Sequence, residues 1–148
     1  MNIQPKVIHQ KVDRDLNAVS DIAMQVKDFA ATILDENSAA AVELAFVEAL
    51  TNAIKHGSIR GRAHGQITVT ARADDQSFVV ELVDTLPMVP QERLDRAKLQ
   101  PFPLDIDNIA SLEEDGRGLS IMVLAMDEVT LHTANDQYVL SMVKYINH

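Results

Sequence analysis

The feature that most constrains the fold of this chain is an alanine-rich segment, residues 39–56, which is followed by Gly57. Glycine is favoured just past a helix, and residues 35–38 before the segment include side chains that cap helix N-termini. Placed at steps of roughly 100°, the apolar side chains of the segment share one arc. They are Val42, Phe46, Val47, Leu50, Ala53 and Ile54. The sequence therefore predicts a long helix that ends at His56-Gly57 and packs this arc against a sheet.

The rest of the chain shows further strand and helix patterns. The predicted elements are a strand at 6–12, a helix at 16–29, a hairpin of strands 67–70 and 77–83, a short helix at 91–99, a helix that begins at Gly118, and strands at 128–133 and 138–145. Helices combined with antiparallel strand pairs predict an α+β fold. We expect a two-layer sandwich, with a mixed, mostly antiparallel sheet and its helices on one face.

Composition limits the possible classes of protein. With 148 residues, 47% of them hydrophobic, the chain fits a single domain over 1–148. It has no cysteine, which excludes a disulfide framework and a thiolate metal site. No stretch approaches the ~20 apolar residues of a membrane span, and a formal charge of -9 disfavours direct nucleic-acid binding. We expect a soluble, cytoplasmic protein that binds neither a membrane nor nucleic acid directly.

Glu48 and Asn52 lie on the face of the predicted long helix opposite the apolar arc. Because they are four residues apart, their side chains are neighbours. A solvated polar face explains such a pair without any function. The functional interpretation is that the two side chains bind a hydrated Mg²⁺ that holds nucleotide phosphates, and that Glu48 orients or deprotonates an attacking hydroxyl.

Asp84 and the pair Gly116 and Gly118 complete a possible nucleotide site. Asp84 ends a predicted strand, where it can accept a hydrogen bond from the amino group of adenine or simply stabilise a turn. The two glycines precede a predicted helix, where free amides can bind an anion. The alternative for the glycines is a flexible loop end before an ordinary helix.

Residues 48–57, with the sequence EALTNAIKHG, resemble the N-box of the GHKL ATPase superfamily, in particular its anti-sigma-factor serine kinase branch. The resemblance implies the Bergerat ATP-binding fold and the use of ATP and Mg²⁺. It assigns Glu48 as the catalytic base and Asn52 as the Mg²⁺ ligand.

The resemblance also covers the later motifs. Asp84 corresponds to the adenine contact, and residues 116–119 resemble the family's Gly-rich G2 box. This box implies phosphate contacts from the amides of Gly116 and Gly118 and a cationic contact from Arg117, with Leu119 in the same motif. Residues 98–115 would form a nucleotide lid, or else a disordered surface excursion. Leu86 stands where the family usually has glycine, and a side chain there would crowd the base or remove a needed backbone conformation.

The function implied by the resemblance is that of a partner-switching regulator. Such a protein phosphorylates a serine of a small STAS-type antagonist, binds a sigma factor or similar effector, and is expected to form a homodimer. A sensor histidine kinase is disfavoured, because no phosphoacceptor hairpin precedes the domain in this sequence. The alternative is a protein with the same fold that sequesters a partner but has lost kinase activity, which Leu86 would allow.

Overall fold

The computed structural model describes residues 7–59, 65–99 and 114–146. Its elements, in chain order, are β1 Ile8–Asp13, a 3-10 turn Leu16–Ala18, α1 Val19–Ala31, α2 Glu36–Ile59, β2 Gln66–Ala73, β3 Ser77–Asp84, α3 Gln91–Leu99, α4 Glu114–Ala125, β4 Glu128–Ala134 and β5 Gln137–Tyr145. The predicted strands, the hairpin and the short helix at 91–99 are therefore confirmed.

The strands form one five-stranded sheet in the order β1-β2-β3-β5-β4. Every pairing among the described strands is antiparallel. Along the central strand β3, buried residues alternate with half-buried ones, because successive side chains of a strand point to opposite faces. One face of the sheet is thus apolar, and the two-layer α+β architecture is confirmed.

The core lies between the buried face of the sheet and helices α1, α2 and α4. Phe29 of α1 contacts Phe78 of β3 edge to face, with ring centroids 5.0 Å apart. Phe46 and Leu50 of α2 are fully buried, as the apolar arc predicted. Burial of such side chains is the main favourable contribution to folding.

Helix α2 begins with a side-chain cap. The backbone N–H of Ser38 donates to Oδ1 of Asp35 at 2.7 Å, so one of the capping candidates performs that role. The predicted end of α2 at His56-Gly57 was wrong, because the helix continues to Ile59. A glycine weakens a helix by only about 1 kcal/mol, so Gly57 does not stop it.

Helix α4 begins at Glu114, four residues before the predicted start at Gly118. The predicted start was wrong, because glycine is a weak helix former but does not exclude residues 116 and 118 from a helix. At the other end of α4, Nζ of Lys144 donates to the Ala125 carbonyl at 2.8 Å. Of the predicted lid, residues 98 and 99 end α3 and residues 114 and 115 begin α4, whereas 100–113 lie outside the described residues.

Among the described helices, none combines the length and apolar character needed to cross a membrane.

Candidate functional site

The polar face of α2 is not a solvated surface at its centre. Asn52 is 5% exposed and Glu48 is half-buried. Buried amide side chains are almost always hydrogen-bonded to protein or to a bound group. The burial of Asn52 therefore argues against the interpretation of this pair as ordinary solvated surface.

Gly118 of α4 lies directly against Glu48 and Asn52. A Cβ atom added at Gly118 would lie 2.8 Å from Oε2 of Glu48 and 3.3 Å from Nδ2 of Asn52. A distance of 2.8 Å is shorter than carbon–oxygen packing allows, so only glycine fits without displacing Glu48. The tertiary structure thus brings the Gly-rich motif next to Glu48 and Asn52 of the N-box, although the two motifs are far apart in the sequence.

The four residues of the predicted G2 box occupy the first two turns of α4. By position, Gly116 and Arg117 lie in the first turn, where backbone N–H groups have no partner within the helix. Gly118 begins the second turn, directly after Arg117, and makes the close approach to Glu48 and Asn52. Leu119 is 2% exposed and belongs to the core, so its side chain anchors this end of α4.

Asp84, the last residue of β3, is buried in an ion pair that the sequence did not reveal. Oδ1 of Asp84 lies 2.8 Å from Nη2 of Arg14 and also accepts a hydrogen bond from the backbone N–H of Leu86 at 3.2 Å. The side chains of Arg14 and Asp84 are only 2% and 1% exposed. Removing one partner of a buried ion pair typically costs about 3–5 kcal/mol.

Arg14 also binds α2. Its Nη1 donates to the backbone carbonyl of Ala53 at 3.0 Å, and Ala53 directly follows Asn52. The charged sequence around Arg14 gave no signal of this role, because an arginine after a strand is usually exposed. Arg14 is the residue of the site that sequence reasoning missed.

Two polar atoms of this ion pair are buried and have no hydrogen-bond partner within the described part of the chain: Nε of Arg14 and Oδ2 of Asp84. A buried polar atom without any partner costs about 1–3 kcal/mol, so such atoms usually bind a water molecule or another group. Oδ2 of Asp84 can accept a hydrogen bond from an amino group such as that of adenine.

Leu86 adopts an ordinary backbone conformation, because among the described residues only Gly65, Asn135 and Asp136 have positive φ. Residue 86 therefore does not adopt the positive-φ conformation that would require glycine. The Leu86 side chain is 8% exposed but does not belong to the contiguous core of the described residues. Leu86 therefore differs from a family glycine only in its side chain, which lies near Asp84 in the sequence.

A comparison with protein families matches residues 12–144 to the histidine kinase-like ATPase domain. The match covers most of the chain and includes Glu48, Asn52, Asp84 and Gly118. This chain belongs to that family. The match confirms the resemblance to the GHKL, or histidine kinase-like, ATPases at the family level.

Curated relatives of this histidine kinase-like ATPase domain include the serine-protein kinase RsbW of Staphylococcus epidermidis. It is 32% identical over 104 residues, which are 70% of this chain and 64% of the relative. RsbW of Staphylococcus aureus is 31% identical over the same share of both chains. The chain thus matches less than two thirds of the length of these relatives.

Solved structures support the fold of the domain. A Mycobacterium tuberculosis protein with RsbU and RsbW domains aligns with a TM-score of 0.64 and 16% identity, covering 94% of this chain and 32% of the other. A chain of the SiaB-SiaC complex from Pseudomonas aeruginosa aligns with a TM-score of 0.58 and 16% identity, covering 94% of this chain and 89% of the other. At these identities the likeness concerns the fold alone.

Proposed function

We propose that this chain is an ATP-dependent protein serine kinase of a partner-switching pathway. It phosphorylates a serine of a small STAS-type antagonist and sequesters a sigma factor or similar effector. The observation that carries the proposal is the approach of Gly118 to Glu48 and Asn52. It brings a residue without a side chain next to a carboxylate and a buried amide, and these groups suit a phosphate chain and its cation.

Asn52 is the proposed Mg²⁺ ligand, through Oδ1 of its buried amide. Mg²⁺ takes oxygen ligands, keeps several waters and neutralises phosphate charge, so one or two protein oxygens are enough to hold it. The amide of Gly116, in the first turn of α4, and the cationic Arg117 are the proposed phosphate contacts. Gly118 lies within the helix, so its N–H is paired there; its proposed contribution to the site is the absence of a side chain beside Glu48 and Asn52. Leu119 packs the same segment into the core.

Glu48 is the proposed catalytic base. As the serine oxygen of the antagonist attacks the γ-phosphorus of ATP, Glu48 accepts the hydroxyl proton, the bond to the bridging oxygen breaks, and ADP leaves. A carboxylate is a weak base but suits a loose transition state, in which positioning and charge neutralisation matter most. The Glu48 carboxylate is half-buried and lies beside Gly118 of α4.

Asp84 is the proposed adenine contact. Its Oδ2 is buried and lacks a partner among the described residues, as expected of an acceptor kept for a ligand amino group. Arg14 ties Asp84, at the end of β3, to α2. This arrangement supports a nucleotide site with the base at Asp84 and the phosphates near Asn52.

The partners and the setting of this activity are also proposals. RsbW is named a serine-protein kinase, and the SiaB-SiaC structure is a complex of two proteins, which supports a protein as the binding partner. We place the activity in the cytoplasm, where ATP is available, and expect a homodimer that sedimentation equilibrium would detect.

The decisive experiment compares Asn52→Ala and Glu48→Gln with the unmodified protein. Asn52→Ala should weaken Mg²⁺-dependent ATP binding by at least about tenfold, since even indirect metal-site changes cost that much. Glu48→Gln should keep ATP binding and lose about 10²–10⁴-fold in phosphate transfer to a purified STAS-domain antagonist. Calorimetry measures binding, and labelled phosphate measures transfer.

The matched controls are Asn37→Ala and Glu36→Gln, the same residue types exposed at the start of the same helix. Both should bind ATP and transfer phosphate normally. Equal activity of Glu48→Gln and the unmodified protein would refute the role of Glu48. Absence of ATP binding at millimolar concentration in the unmodified protein would refute the kinase proposal as a whole.

The second candidate is a regulator that sequesters its partner without phosphorylating it. The buried Leu86 beside Asp84 favours this candidate, because its side chain occupies space that glycine would leave to the base. If Leu86 is the obstruction, Leu86→Gly should tighten ATP binding measured by calorimetry, and an unchanged affinity would clear Leu86. Partner binding that persists without any phosphate transfer would favour sequestration.

A further inference from the structure

The buried arginine Arg14 joins three parts of the chain that are distant in sequence. Its backbone N–H donates to the Gly65 carbonyl, its Nη1 to the Ala53 carbonyl of α2, and its Nη2 to the Asp84 carboxylate at the end of β3. Its side chain is 2% exposed. A charge buried this completely is rare unless it is paired and has a specific role.

The ion pair between Arg14 and Asp84 is incomplete. An arginine and a carboxylate commonly form two parallel hydrogen bonds, but here the one between Nη2 and Oδ1 is made while Nε and Oδ2 lack partners among the described residues. The pair therefore leaves one buried donor and one buried acceptor. Adenine carries the complementary groups, since its amino group is a donor and the adjacent ring nitrogen N1 is an acceptor.

We propose that Arg14 is a positioning residue that determines the base specificity of the nucleotide site, an inference that rests on the proposed function. By holding Oδ1 of Asp84, Arg14 turns Oδ2 toward the amino group of adenine. Its Nε supplies a donor for N1, directly or through a water molecule. Hypoxanthine has the reverse pattern, because its O6 is an acceptor and its N1 carries a hydrogen, so the pair disfavours it.

Arg14 also sets the distance between the base and phosphate ends of the site. Its bond to the Ala53 carbonyl fixes Asp84 relative to the turn of α2 that carries Asn52. Loss of Arg14 is therefore expected to affect binding of the base more than the phosphates, because Asn52 and Gly118 keep their own packing in the core.

The test is equilibrium binding of Mg-ATP and Mg-ITP by calorimetry. The unmodified protein should prefer ATP. Arg14→Gln should reduce the ratio of ATP to ITP affinity by roughly ten- to a hundredfold, the effect of a lost charged hydrogen bond. Arg14→Lys keeps the charge but places all its donors on one nitrogen, which cannot reach Ala53, Asp84 and the base together, so it should give an intermediate ratio.

Two further variants separate specificity from stability. Arg14→Gln with Asp84→Asn removes both buried charges, so it should fold and bind ATP and ITP with similar affinity. Arg72→Gln is the matched control, because Arg72 pairs with Glu81 at the same 2.8 Å but is half exposed on β2. It should leave the ATP to ITP ratio unchanged.

The possible outcomes distinguish this inference from the proposed function. A lower melting temperature of Arg14→Gln with an unchanged ATP to ITP ratio would show that Arg14 is only structural and would overturn the inference. Tighter ATP binding by Arg14→Gln would also overturn it, because Arg14 would then compete with the base. If Arg14→Gln fails to fold, the ATP to ITP affinity ratios of Arg14→Lys and of the double variant test the inference instead. If the unmodified protein binds neither nucleotide, the proposed function fails, and the inference fails with it.

Discussion

At the scale of single residues, Gly118 decides the geometry of the candidate site. Because position 118 has no side chain, the Glu48 carboxylate can lie directly against α4. The nearest atom to an added Cβ is the far end of the Glu48 side chain, which can rotate away, whereas Asn52 is more deeply buried. A larger residue would therefore displace Glu48 before it separates the helices.

We predict that Gly118→Ala changes stability little and activity greatly. Alanine is a better helix former by about 1 kcal/mol, which offsets the tighter packing. Displacement of Glu48 should lower phosphate transfer by at least about tenfold, as misplacement of a catalytic group does. Urea unfolding measures the stability, and labelled phosphate measures transfer.

The control for this prediction is Ser120→Ala, a small change at a half-buried position on the same helix. It should leave both stability and transfer near their original values. A Gly118→Ala variant that transfers phosphate at the normal rate would contradict the importance of the close approach.

At the scale of secondary-structure elements, α2 depends on its N-terminal cap. The backbone N–H of Ser38 donates to Asp35, and this hydrogen bond lowers the pKa of Asp35 below its ordinary value of 3.8. A carboxylate with a lowered pKa stabilises the folded state above its unfolded pKa and loses that contribution as the pH falls through the folded pKa. The cap should thus be fully effective at neutral pH.

We predict that Asp35→Ala lowers the melting temperature at pH 7 and that this difference shrinks as the pH falls below about 4. Asp35→Asn keeps an acceptor for the Ser38 N–H, so it should retain most of the stability. It should also remove the contribution of residue 35 to the pH dependence. Thermal unfolding monitored by circular dichroism between pH 2.5 and pH 7 provides the measurement, and an Asp35→Ala difference that is constant with pH would contradict the assignment.

At the scale of the whole molecule, the sheet and the helix layer are held together by buried aromatic and aliphatic side chains. Phe78 lies on the central strand and is fully buried against Phe29 of α1. The site residues come from both layers, with Asp84 at the end of a strand and Glu48, Asn52 and Gly118 on helices. Packing between the layers therefore also maintains the site.

We predict that Phe78→Ala destabilises the protein by about 3–5 kcal/mol, the usual cost of removing a buried phenyl ring. This is a large part of the 5–15 kcal/mol that typically stabilises a domain. Leu99→Ala is the control, because Leu99 is 83% exposed, and it should change the stability by no more than about 0.5 kcal/mol. Urea unfolding measures the free energy of unfolding of both variants. Similar losses of stability in Phe78→Ala and Leu99→Ala would contradict the described core.

Much of the fold could be predicted because its signals are local. The apolar arc of α2 and the alternation in β3 follow from the 3.6- and 2-residue periods of helix and strand. The ends of α2 and α4 were less predictable, since Gly57 lies within a helix and α4 extends to Glu114. Local residue preferences near helix ends are too small to decide such boundaries.

The sequence by itself determined the helix with Glu48 and Asn52, the strand that ends at Asp84 and the two-layer α+β class, because periodicity and motifs are short-range properties. Only the tertiary structure decided that Asn52 is buried, that Gly118 lies against Glu48, and that Arg14 pairs with Asp84 across 70 residues of sequence. Such contacts depend on how distant elements pack together, and no local pattern records which partner a buried charge will find.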